Sequence, residues 1–251
     1  MPLCCRKEGV EVKLSKTEQR RLASLVDQLW QELEQLATDE QDSLDWYIEK
    51  MEEQAATLSK QPLSFFYKKL VGCIFSGHMG VRVPDAYWRA LEKVLPGLDP
   101  VAVSTCTVKE LLRVPGVVKH EGRLRGCIVG AKFFLEIERE FGSFYPFLRR
   151  FGTSRTPAIE RWGVVCLLAN HIPWMGTAVA CDFLKELGLT SYAKPHTHVK
   201  RALHCQGLTS SEEIDDFTCF VAVDKLAQAS GLEAAYVDRL LWVRGEKFER
   251  W

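Results

Sequence analysis

Two histidines separated by one residue, in Pro195-His196-Thr197-His198-Val199, follow the hairpin sequence Ile172-Pro173-Trp174-Met175-Gly176, with a single helical segment between the two. A hairpin that runs into a helix at Gly176-Thr177 offers free backbone N–H groups and the positive end of a helix dipole. Together these bind a phosphate without help from a side-chain charge. The alternative is that Gly176 only makes a turn between packed helices. His196 would also stand at a helix start, where positive partial charge favours the neutral imidazole. Such a ring can orient or deprotonate water. Trp174 either packs into the core or projects away from it.

A second group of residues sits at another helix start. Lys119, His120, Arg123 and Arg125 form a short basic run. Positive charge at a helix N-terminus is unfavourable, and a phosphate partner would offset it; the alternative is a solvated charged face. Arg149, Arg150 and Arg155 form a second such run, while the acidic stretch from Asp39 to Asp45 should face away from any polyanion. Metal chemistry is poorly served. The nine cysteines show no paired spacing, and the tight clusters are Cys4-Cys5, His196-x-His198 and His204-Cys205. A metal joining the N-terminal cysteines to a later cluster remains the minority alternative, and the expectation is no metal and no cofactor. Cys73, Cys127, Cys166 and Cys181 fall in apolar helical patterns and read as reduced, buried thiols.

The elements that must position these groups are helices. Leu22, Leu25, Val26, Leu29, Leu33 and Leu36 recur at three and four residues after Ser15, whose spacing to Glu18 is that of a capping box. Further helices are expected from about Asp42 to Leu58, from Pro62 to Ser76, from Pro84 to Leu95 and from Val108 to Val114. The longest runs from Glu121 to Glu140, and others run from Ala158 to Asn170 and from Thr177 to Leu187. A helix from about Thr197, then two around 212–230 and 233–244, complete the chain. Gly122, Gly126 and Gly130 recur every four residues in the longest helix, which argues that another backbone packs closely along that side. Strand-like alternation is absent, so the fold class is all-α.

The chain has 251 residues, 47% hydrophobic content and a formal net charge of zero. That composition excludes a uniformly basic coat protein but not a local basic face. No apolar run approaches the roughly 20 residues of a membrane span, and Met1 to Val12 is too charged for a signal peptide. The expected location is the cytoplasm, associated with the nucleoid, without membrane contact.

These blocks resemble the helix-hairpin-helix DNA glycosylases, a superfamily that includes endonuclease III, and are most similar to 3-methyladenine DNA glycosylase I. The family hairpin reads Leu-Pro-Gly-Val-Gly and is followed, one helix later, by Val-Asp-Thr-His-Val. Here residues 172–176 and 195–199 correspond. Gly116-Val117-Val118-Lys119-His120-Glu121-Gly122-Arg123-Leu124 resembles the family's Gly-Ile-Ile-Arg-type helix start, and Cys73-Ile74-Phe75-Ser76-Gly77-His78 lies where relatives carry Leu-Ser-Ala-Gln. The resemblance covers roughly residues 62–203.

It implies two helical subdomains flanking a cleft. One would span 62–195, with the helix-hairpin-helix at about 158–187, and the other would combine 1–61 with 196–251. It implies a monomer that flips and excises a damaged base from double-stranded DNA. Gly176, Thr177, His78, Lys119, Arg123, Arg125, His198 and Lys200 would contact DNA, with His78 filling the gap left by the flipped base. Trp46, Tyr47, Phe75 and Trp174 would line the base pocket. His196 stands where the wider family keeps its catalytic aspartate, and Phe75 stands where 3-methyladenine DNA glycosylase I keeps an acidic pocket residue. Ala178 occupies the position of the Schiff-base lysine, so lyase chemistry is not expected. The remaining alternatives are a catalytically inactive lesion-binding protein of the same fold and a helical protein-interaction module.

Overall fold

The computed structural model describes residues 14–36, 43–76, 85–114, 120–151 and 156–247. His78, Lys119, Arg155 and the Cys4-Cys5 pair lie outside them. The described residues form thirteen α-helices and no strand, and no helix among them is long and apolar enough to cross a membrane.

The first helix is α1 (Lys16–Leu36). The Glu18 amide donates to Ser15 Oγ at 3.2 Å, the capping contact that the Ser-x-x-Glu spacing predicts. Leu22, Val26, Leu29 and Leu33 are buried on one stripe. Next come α2 (Leu44–Thr57), capped by Ser43, then α3 (Leu63–Ser76) and α4 (Asp85–Val94). The four-residue α6 (Val108–Leu111) is shorter than the expected 108–114. Before it lies α5 (Pro100–Ser104), which periodicity does not reveal because one turn carries no repeat. Asp99 nucleates it by accepting from the Val101 and Ala102 amides, with Pro100 at the first helical position.

The long helix α7 (Glu121–Phe141) ends on Gly142, whose φ of 78° suits a residue without Cβ. After α8 (Phe144–Phe151) follow α9 (Ala158–His171), α10 (Thr177–Glu186) and α11 (Thr197–Cys205). The last two are α12 (Asp216–Ser230) and α13 (Ala234–Lys247). Helix α12 starts four residues later than its apolar pattern allows, because Asp215 caps it through the Thr218 amide at 2.9 Å.

Buried apolar side chains gather into two cores. One is built mainly from α3, α4, α7, α8, α9 and α10; the other from α1, α2, α11, α12 and α13. Arg161 of α9 spans the seam between them. Its guanidinium donates to the backbone carbonyls of Thr156 (3.0 Å) and Ser191 and to the Asp224 carboxylate of α12. Beside it, Trp162 packs on Phe217 and Phe220 with ring centroids 5.5 and 5.4 Å apart.

The glycine stripe of α7 receives the hairpin between α9 and α10. A Cβ on Gly126 would collide with the Pro173 carbonyl oxygen, and one on Gly122 would lie 3.0 Å from the Trp174 ring. At Gly130 the neighbours would be Leu70, at 2.5 Å, and Ile172. The stripe therefore lets α3 and the hairpin approach one helix from the same side. Gly126→Ala is expected to lower unfolding free energy by about 1–3 kcal/mol, as overpacking does, because the colliding atom is backbone rather than a flexible side-chain tip. Chemical denaturation checks this, and an unchanged midpoint would mean that the hairpin does not sit on α7.

Candidate functional site

The hairpin closes with the Met175 amide donating to the Ile172 carbonyl at 3.1 Å. Pro173 and Trp174 occupy the two central positions, and Trp174 has a φ of 69°. Proline followed by a residue with positive φ is the type II pattern, in which the second position suits glycine. A tryptophan there costs on the order of 1–3 kcal/mol. The residue is 48% exposed, and the half of its surface that is buried against α7 and His120 offsets part of that strain.

Gly176 then starts α10 without any side-chain cap, which leaves first-turn amides of α10 without intrahelical partners. The Thr177 hydroxyl donates to one oxygen of Asp216, and Lys200 Nζ lies 2.7 Å from the other. Thr177 and Lys200, both expected as DNA contacts, are thus held together by a carboxylate at the start of α12. A phosphate arriving at these donors would have to displace or share them with Asp216. No local pattern marks that aspartate, because it acts 39 residues from Thr177.

His196 is the N-cap of α11. Its Nδ1 accepts from the His198 amide at 3.3 Å, and its ring centroid lies 4.7 Å from that of His198. The edge of His198 in turn meets Trp242, at 5.8 Å. Burial, reinforced by Lys194, His198 and Lys185 against Asp182, pushes the His196 imidazole down to about 4. The ring is therefore neutral near pH 7. With Nδ1 accepting, the hydrogen-bond network assigns the proton to Nε2. Such a ring can donate to a water or substrate oxygen, but its one acceptor nitrogen is spent on the helix. Of the two expected roles, orienting water fits this geometry and deprotonating it does not.

The depressed value links to stability. Unfolded His196 protonates near pH 6.5, whereas the folded ring does so near 4, so the unfolded chain binds more protons between those values. His196 accordingly contributes stability above pH 6.5 that fades on acidification and is gone below about 4. His196→Asn, which retains an N-cap acceptor, should show a shallower fall of melting temperature than wild type across that window. Parallel curves would contradict the assignment.

Beneath this helix start lies a bed of ion pairs. Asp182 of α10 meets Lys194 at 2.8 Å and Lys185 at 3.7 Å, and Lys185 meets Asp238 of α13 at 2.6 Å. Burial opposes ionisation of Asp182, yet Lys185 and Lys194 hold its carboxyl below the usual range. Helix α11 is brought onto this bed by a close crossing with α13, where a Cβ on Gly245 would collide with the His198 carbonyl.

Other expected site residues are placed elsewhere. Arg123 does not face a polyanion: it is 5% exposed, its Nη1 donates to the Phe75 carbonyl at 3.3 Å, and its guanidinium lies over the Phe75 ring. It therefore satisfies a carbonyl in the last turn of α3. Two residues along the helix, Arg125 turns outward and pairs with Glu121 at 2.7 Å. Phe75 is fully buried in the first core, not a wall of an open pocket. Tyr47 packs edge-on against Tyr236 of the second core beneath Arg239, and Trp46 lies under Lys50. Trp174 instead packs on His120, so these expected pocket residues occupy separate environments. No group of histidine, cysteine and carboxylate side chains suited to a metal occurs among the described residues. No family model, curated protein or solved structure matches this chain.

Proposed function

We propose that the chain binds double-stranded DNA at a damaged base and acts as a monofunctional DNA glycosylase. The observation that carries this reading is the hairpin of residues 172–176, seated on the glycines of α7 and delivering the uncapped N-terminus of α10 beside Lys200 and the start of α11. Backbone donors of this kind hold phosphate, and the sequence resemblance to helix-hairpin-helix DNA glycosylases supports the same assignment.

The substrate class follows from what His196 lacks. Cleaving an N-glycosidic bond develops positive charge on the sugar, which a fixed carboxylate stabilises. A neutral imidazole does not. Bases that are already cationic, such as N-alkylated purines, leave with less help and are the expected targets. Incubation with methylated duplex DNA, read by mass spectrometry of released bases, tests this. Release of alkylated purines supports it.

The use of His196 Nδ1 as a helix cap favours a second reading, a lesion-binding protein without excision. Tight binding to a duplex carrying an abasic-site analogue, with no base released, would select that reading. Binding to neither substrate would remove both.

A further inference from the structure

Trp174 and His120 form a pair of rings that the chemistry proposed at His196 does not use. Their centroids are 4.3 Å apart at an interplanar angle of 57°. His120 is fixed in place as the N-cap of α7, its Nδ1 accepting from the Arg123 amide at 3.4 Å. The absence of a side chain on Gly122 makes room for the indole. Trp174 is held in a left-handed backbone conformation with a histidine ring braced against it, and 48% of its surface stays open to solvent.

The surroundings indicate what the rings meet. A shallow groove is lined by Val108, Lys109, Leu112, Arg113 and Glu121, the residue that follows His120 at the start of α7. Lys109 and Arg113 are exposed and one turn apart. The acidic side chains nearby are engaged, Glu121 with Arg125 and Glu110 with Thr107. Exposed cationic side chains near a half-buried histidine and an exposed tryptophan suit a nucleic-acid strand, with phosphates in the groove and a base on the rings.

We infer that Trp174 and His120 form a stacking platform for one unpaired nucleobase, with Lys109 and Arg113 taking the adjoining phosphates. This contact uses residues other than His196 and rests on the nucleic-acid reading of the hairpin.

Trp174→Gly separates folding from binding, because glycine accepts the positive φ while removing the ring. The probe is a fluorescein-labelled thymidine oligomer of about eight nucleotides, followed by anisotropy at fixed salt, beside an abasic oligomer of equal length. Wild type is expected to bind the thymidine oligomer about tenfold more tightly than the abasic one. Trp174→Gly should lose that difference while still unfolding cooperatively, and Trp174→Phe should keep most of it. Equal affinity of wild type for the two oligomers, or an unchanged preference in Trp174→Gly, overturns the inference. A duplex with an abasic-site analogue, measured on the same proteins, distinguishes the two failures. Loss of duplex binding alone removes the glycosylase reading, whereas duplex binding without any thymidine preference removes only the platform.

Discussion

His196→Asp is expected to raise excision of a neutral damaged base by on the order of 10²-fold, the scale on which single preorganised groups act in hydrolytic sites. The helix start should survive the change, because aspartate is among the best N-cap residues and can accept from the His198 amide as the imidazole does. Lys194 and Lys185, which help to depress the imidazole, would favour the ionised form of the new carboxyl, against burial and Asp182, which oppose it. The variant thus places a carboxyl group where the sequence resemblance expects one. Single-turnover release of a neutral lesion base measures the effect. A folded variant with no gain would show that the surroundings of residue 196 do not receive a sugar.

Arg161→Met should be the most damaging single change to stability, at roughly 3–5 kcal/mol. Only 2% of the Arg161 side chain is exposed, and it supplies donors to two carbonyls and to Asp224. Methionine fills much of the same volume but leaves Asp224 with a buried charge. Adding Asp224→Leu is expected to recover much of the loss, since the remaining partner of that carboxylate, Gln228, is exposed and can turn to water. Denaturant midpoints of the two single variants and the double variant test this as a cycle. Strict additivity would mean that the pair does not act as a unit across the seam.

The helices were legible because burial on one face imposes a period on the sequence. That rule recovers α1, α7, α9 and α10 nearly to the residue, and the spacing of Gly122, Gly126 and Gly130 correctly announces a close backbone. It fails for α5, which is one turn long and begins at a cap rather than in a repeat. It also misassigns Arg123. Four basic residues within seven positions read as one patch, but residues two apart on a helix lie on roughly opposite sides. Arg123 is consequently buried against α3 while Arg125 is exposed.

What stayed hidden in the candidate site is long-range. Asp216 reaches Thr177, and Asp238 reaches Lys185, across separations that no local pattern encodes. Trp174 is a different case. Its position after Pro173 is a turn signal visible in the sequence, but the positive φ that makes an exposed tryptophan costly there appears only in three dimensions.

On the proposed reading, the hairpin and the start of α11 hold DNA at a damaged base. The ratio of dissociation constants for an intact duplex and the same duplex carrying one abasic-site analogue, at one fixed salt concentration, tests it most directly. The account predicts a preference for the abasic duplex of about tenfold or more, within the range by which specific sites exceed non-specific ones. Equal affinity for the two duplexes, or binding to neither, would contradict it.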